Sequence, residues 1–285
     1  MMRLPRRALL AASPSLFVSP ALADGTDFFS EHERATGGRI GWYANNLASG
    51  RTLSSRADER FLMCSTFKVS LVACILARVD QGQDQLGRFI AYSASDLLSY
   101  APTSRQNLAK GGMTLGAMCQ AAIELSDNTC ANLLLNAIGG PTMLTRFWRT
   151  TGDPITRLDH NEPQLNRSSP DDTQDTTTPA AMAGNLRRLL LGDVLSPESR
   201  AHLTRWMLNC RTGATLLRAG LPSDWKVADK TGNNGQDALA DIAVAWPAPG
   251  RPVIICAYTQ GGVPKPEQLR IALARIGQLV GKQLD

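Results

Sequence analysis

The chain has 285 residues, of which 43% are hydrophobic and 19% charged, with a formal net charge of +5. This balance excludes a disordered chain and gives enough apolar material for one large domain or two interleaved lobes. There is no basic stripe interleaved with aromatics, which argues against a nucleic-acid partner.

Residues 1–23 read as a secretory signal. Arg3, Arg6 and Arg7 form a basic start, residues 8–18 a short apolar run, and Ala21-Leu22-Ala23 a small-x-small cleavage pattern. The run is too short, and too broken by Ser13 and Pro14, to span a bilayer. Arg6-Arg7 is only an incomplete twin-arginine pattern. Cleavage would remove three arginines and no acid, lowering the net charge from +5 to +2. No cysteine follows the cleavage site, so no lipid anchor is expected, and the mature protein is expected to be periplasmic or secreted. The rest, 24–285, reads as one functional unit.

In chain order, residues 28–34 suggest a short helix, and residues 39–45 and 52–54 two strands around a Ser49-Gly50 turn. The middle is helical: residues 66–79, 115–125, 128–137 and 178–191 carry apolar side chains at three- and four-residue spacing. Residues 157–175 are polar, lack periodicity and are too long for an ordinary connection, which marks a functional Ω-type loop. Strands return at 225–229, 238–246 and 253–259, and residues 268–282 form a last amphipathic helix. This order predicts an α+β fold. An antiparallel sheet is built from both chain ends and flanked by helices (about 24–60 and 211–285). A helical lobe (about 61–210) faces it, with the active site in the cleft between them.

Three short motifs carry chemistry. Ser65-Thr66-Phe67-Lys68 opens a helix and puts an amine one turn from a hydroxyl. A serine needs such a base to become a nucleophile, and a helix N-terminus favours a developing oxyanion. Ser126-Asp127-Asn128 offers a proton-relaying hydroxyl and a substrate-holding amide. Lys230-Thr231-Gly232, after a strand, offers a cation and a hydroxyl for a carboxylate, with a glycine that permits close approach. Each alone has an ordinary structural reading: helix caps for the first two, a surface strand end for the third.

Together and in this order the motifs resemble those of the class A serine β-lactamases, and the likeness runs from about residue 28 to 281. It includes Ala131-Asn132-Leu133-Leu134 and Ile138-Gly139-Gly140-Pro141. A fourth match is Glu162-Pro163-Gln164-Leu165-Asn166 in the long loop, where the family holds a water. The resemblance implies hydrolysis of penicillins and cephalosporins through an acyl-serine, conferring antibiotic resistance. It implies that Ser65 is the nucleophile and that Lys68, or Glu162 through the water, is its base. The backbone N–H groups of Ser65 and Asn233 would form the oxyanion hole. Ser126 would pass a proton to the ring nitrogen. Lys230, Thr231 and Gly232 would form the carboxylate site, Asn128 would hold the acylamino group, and Glu162 with Asn166 would hold the water. Tyr100 would border the cleft.

Some positions depart from the family pattern. The arginine that many relatives carry after the triplet is Leu239 here, and Arg270 on the last helix is expected to replace its charge. The arginine that opens the long loop is His160, facing Asp175. An ordinary histidine is largely neutral above about pH 6.5, so a weaker, pH-sensitive tie and a more mobile loop, open to bulkier cephalosporins, are expected. Cys64 has no partner position, because Asn234 stands where some carbapenem-hydrolysing relatives have a cysteine. Carbapenem hydrolysis is therefore not implied.

The six cysteines, Cys64, Cys74, Cys119, Cys130, Cys210 and Cys256, show no zinc spacing. No metal or organic cofactor is expected, and a monomer is the default. A DD-peptidase and a β-lactam sensor share the three motifs. Both lack the base for deacylation, so Glu162 with Asn166 speaks for the hydrolase.

Overall fold

The computed structural model describes residues 20–167 and 173–285. Residues 1–19 of the signal reading, and residues 168–172 of the long loop, lie outside the described residues.

After α1 (Pro20–Thr36), the chain lays down β1 (Arg39–Asn46) and β2 (Thr52–Ser55), then the two-residue β3 (Phe61–Leu62). The helical region follows: α2 (Phe67–Asp80), a ribbon of β4 (Phe89–Ala91) and β5 (Gly112–Thr114) enclosing α3 (Pro102–Gln106), then α4 (Leu115–Glu124), α5 (Asn128–Ile138) and α6 (Pro141–Thr150). Past the long loop come β6 (Thr176–Thr177), α7 (Pro179–Leu186), α8 (Pro197–Leu208) and the single turn α9 (Leu217–Gly220). The chain closes with β7 (Lys226–Asn233), β8 (Leu239–Trp246), β9 (Val253–Gln260) and α10 (Pro266–Gln283).

The main sheet has the order β2-β1-β9-β8-β7, and every pair is antiparallel. Strands from both chain ends thus meet in one sheet, as the order of apolar patterns predicted. Its two faces bury separate cores. On β8, Leu239, Ala243 and Ala245 join the cluster under α10, while Ala240, Ile242 and Val244 join the cluster under the helical region. A strand buried on both faces reads as an unbroken apolar run, and residues 239–246 do.

α2 is the axis of the helical region. Every residue from Phe67 to Ala77 is buried, so its apolar pattern is not a one-sided stripe. The chain reaches it through a 3-10 turn, Cys64–Thr66, with Cys64 at φ 43°. Several boundaries differ from expectation. The first helix is longer than residues 28–34. The helix predicted over 178–191 is α-helical only to Leu186 and continues as a π turn, Arg187–Leu191. α6 and α8 escaped the periodicity reading. Each opens on proline at its first position, a start signal that fixes φ where the N–H has no partner to lose.

Candidate active site

A cleft of about 1090 Å³ is lined by Ser65, Tyr100, Ser126, Asn128, Asn166, Thr231, Asn233 and Arg270 among others. Lys68, Glu162 and Lys230 are buried behind it. The structure therefore gathers nearly all the residues singled out in the sequence around one surface.

Ser65 sits in the turn that leads into α2, and its Oγ donates to Glu162 Oε1 at 3.3 Å. Glu162 is held from both ends. Its backbone exchanges two hydrogen bonds of 2.9 Å with the Asn132 amide of α5. Its Oε2 accepts from Asn166 Nδ2 at 2.6 Å, because the 3-10 turn Gln164–Asn166 brings the two residues to one side. The Glu162–Pro163 peptide bond is cis. Asn166 Oδ1 is buried and has no partner.

Lys68 Nζ reaches Ser126 O at 2.9 Å, Asn128 Oδ1 at 2.6 Å and Glu162 Oε1 at 3.3 Å, with Ser126 Oγ also 3.3 Å away. Burial pulls its pKa down, and the Glu162 carboxylate opposes that shift. Such a pair is fully withdrawn from water, so losing one partner is costly: about 3–5 kcal/mol is typical.

Ser126 lies between α4 and α5 at φ 58°, a left-handed conformation that non-glycine residues seldom adopt. Its neighbour Asp127 caps α5 by accepting from Cys130 N, and also accepts from Thr103 N and Ser104 N. The capping reading of this motif is thus correct for Asp127, while Ser126 and Asn128 face the cleft. Lys230 Nζ donates to Ser126 Oγ at 3.0 Å, joining the second and third motifs. Burial lowers the Lys230 pKa to about 8.

The Lys230-Thr231-Gly232 triplet lies within β7 and not after it, which corrects the predicted strand end at residue 229. A Cβ on Gly232 would stand 2.7 Å from Met63 O and 3.1 Å from Ser65 N, so only glycine lets this strand lie against the nucleophile's turn. Asn233 follows on the cleft wall, its Oδ1 accepting from Gly235 N. The Tyr100 backbone carbonyl accepts from Asn128 N at 3.1 Å, while its ring is exposed at the rim. Arg270 lines the rim, with its Nε on Glu267 at 3.2 Å.

Thr212 was missed by motif reading. Its Oγ1 lies 2.6 Å from Thr231 Oγ1, and it lines the cleft. Only its place before Gly213 could have drawn attention to it. His160 meets Asp175 as the sequence paired them: Nδ1 lies 2.7 Å from Asp175 Oδ2.

The family model described as the β-lactamase enzyme family matches residues 26–284. Beta-lactamase L2 of Stenotrophomonas maltophilia is 44% identical over 277 residues, covering 97% of this chain and 91% of that protein. Beta-lactamase AER-1 of Aeromonas hydrophila is 42% identical over 245 residues, covering 86% and 81%. Among solved structures, an ancestral class A β-lactamase superposes with a TM-score of 0.86 at 49% identity, covering 90% of this chain and 99% of that one. A β-lactamase from Xanthomonas campestris pv. campestris superposes with 0.89 at 44% identity, covering 93% and 99%. The chain belongs to the class A β-lactamases and hydrolyses β-lactam antibiotics, the activity that confers resistance.

Proposed function

We propose that this enzyme opens penicillins and cephalosporins by a two-step route in which Glu162 serves both steps. The observation that carries the reading is the Ser65 hydroxyl donating to the Glu162 carboxylate. In acylation, Ser65 Oγ attacks the ring carbonyl and its proton passes to Glu162. Lys68 is the less suitable acceptor. An ammonium has three N–H bonds, and those of Lys68 are matched by Ser126 O, Asn128 Oδ1 and Glu162 Oε1. Its charge stabilises the carboxylate and the developing oxyanion. The backbone N–H groups of Ser65 and Asn233 receive that oxyanion, and Ser126, bridged to Lys230, protonates the departing nitrogen; Lys68 replaces the Ser126 proton and takes the one held by Glu162, which is again a carboxylate for deacylation.

In deacylation a water bound by Glu162, Asn166 and Ser65 attacks the ester. The buried, partnerless Asn166 Oδ1 supports this, since such an acceptor calls for a donor and a held water needs two to four polar partners. Lys230 and Thr231, aided by Arg270, bind the substrate carboxylate; Gly232 lets it approach, Asn128 holds the acylamino group, and Tyr100 borders the cleft. The lobes divide at about residues 60 and 210, with export from a 1–23 signal to the periplasm or medium. No helix among the described residues is long and apolar enough to cross a membrane.

The test is Glu162→Ala on a chromogenic cephalosporin. Steady-state turnover is expected to fall by about 10²–10⁴, and the single-turnover appearance of one substrate mass on the Ser65 peptide should slow as well, because both steps lose their base. Turnover at the parent rate would overturn the assignment.

A further inference from the structure

We propose that Asp229 and Asp241 share one proton beneath the substrate-carboxylate site, and that Asp241 is a positioning residue for Thr231. In the β7–β8 register Thr231 stands opposite Asp241, and Asp229 opposite Ala243. Side chains alternate along a strand, so Asp229, Thr231 and Asp241 share the face turned toward α9 and α10. Asp229 and Asp241 are diagonal neighbours there, within side-chain reach of each other.

Both carboxyl groups are completely buried. Asp229 Oδ1 takes the Arg218 guanidinium, and Asp241 Oδ2 accepts from Leu217 N at 3.1 Å. The other oxygens, Asp229 Oδ2 and Asp241 Oδ1, are buried with no partner. Two carboxylates facing one guanidinium would leave a bare negative charge in the core. One proton resolves both deficits: a carboxylic acid donates where a carboxylate accepts. Arg218 favours the charge on Asp229, so the proton resides on Asp241, whose pKa burial and the Asp229 charge drive far upward. The other ionisable groups around the pair are Cys210, Lys230 on β7, and Cys256 and Tyr258 on β9.

The pair underlies two hydroxyls of the cleft. A Cβ on Gly213 would stand 1.9 Å from Asp229 Oδ2, so the Thr212–Gly213 backbone rests on that carboxyl. Thr212 in turn bonds Thr231, the residue opposite Asp241. A neutral, mutually bonded pair keeps this stack closed. An ionised Asp241 would draw water in beneath it.

The positioning role rests on reading Thr231 as a carboxylate ligand; the shared proton does not. The experiment compares wild type, Asp241→Asn and Asp241→Ala by thermal unfolding from pH 4 to 8 and by kinetics on a penicillin with a single carboxylate. An acid with a raised folded pKa loses stability as pH rises above its unfolded value. The Tm advantage of Asp241→Asn over wild type should therefore grow with pH. A flat or falling difference overturns the shared proton. At pH 7, Asp241→Asn, which can still donate to Asp229, should keep KM and kcat within about twofold, while Asp241→Ala should raise KM about fivefold with less change in kcat. An unchanged KM in Asp241→Ala overturns the positioning role. Thr231→Ala, measured alongside, isolates failure of the carboxylate reading.

Discussion

At the scale of single residues, two amines meet on Ser126 from opposite sides, Lys68 from α2 and Lys230 from β7. Burial disfavours both charges, and each is offset by different partners. The Lys230 ammonium is lost as pH rises through about 8. Since that charge is proposed to bind the substrate carboxylate, KM should rise on the alkaline side with a midpoint near 8, while kcat changes less. Arg270→Ala should raise KM severalfold at pH 7 and leave that midpoint unmoved, because its exposed guanidinium is screened by solvent from the buried amine. KM flat from pH 7 to 9 would remove Lys230 from the carboxylate site. An unchanged KM in Arg270→Ala would remove Arg270.

At the scale of elements, the long loop is closed at its neck by a carboxylate lattice. Asp175 Oδ1 accepts from Asp159 N and His160 N, Asp159 Oδ2 accepts from Asp175 N, and Arg157 holds Asp159. The His160 ring adds its contact to Asp175 on the open side. The neck therefore holds without imidazole charge, and protonation only strengthens it. After correction for intrinsic rates, amide exchange over residues 161–167 should be slower at pH 5.5 than at pH 8. In His160→Arg it should be slow at both. Equal exchange of wild type at the two pH values would discard the histidine tie as a pH-sensitive one. Elements were legible where periodicity or capping is local: α4, α5 and the four long strands β1, β7, β8 and β9 fall within a residue or two of the pattern, apart from the end of β7. That strand was cut short because Lys230-Thr231-Gly232 looks polar. Only its burial between the nucleophile's turn and β8 keeps it extended.

At the scale of the whole molecule, the sheet separates two cores, one under α1 and α10 and one filled by the helices around α2. α1 starts at Pro20, before the proposed cleavage point, and Phe28 and Phe29, beyond that point, pack in the core, Phe29 near Trp42. Cleavage after Ala23 leaves the Phe28 and Phe29 contacts in place. A chain beginning at Asp24 should unfold within about 1 °C of the full-length protein, and the exported enzyme should carry that N-terminus. A clearly lower Tm would mean that the leader contributes to the fold. All six cysteines are buried and unpaired, so the structure is held by packing and not by cross-links.

The sequence by itself determined the reaction class, because nucleophile, relay and carboxylate ligands occur as short runs whose identity and order survive without coordinates. It also determined that strands from both ends frame a helical middle, because apolar periodicity is a local property. Only the tertiary structure decided which groups touch. Glu162 meets a hydroxyl 97 positions away, Lys230 meets Ser126 across 104, and Thr212 meets Thr231 across 19. Nor could the sequence tell Asp241 from a solvated strand acid. Contact, burial and the protonation that follows depend on how whole elements pack, and no window of neighbouring residues encodes that.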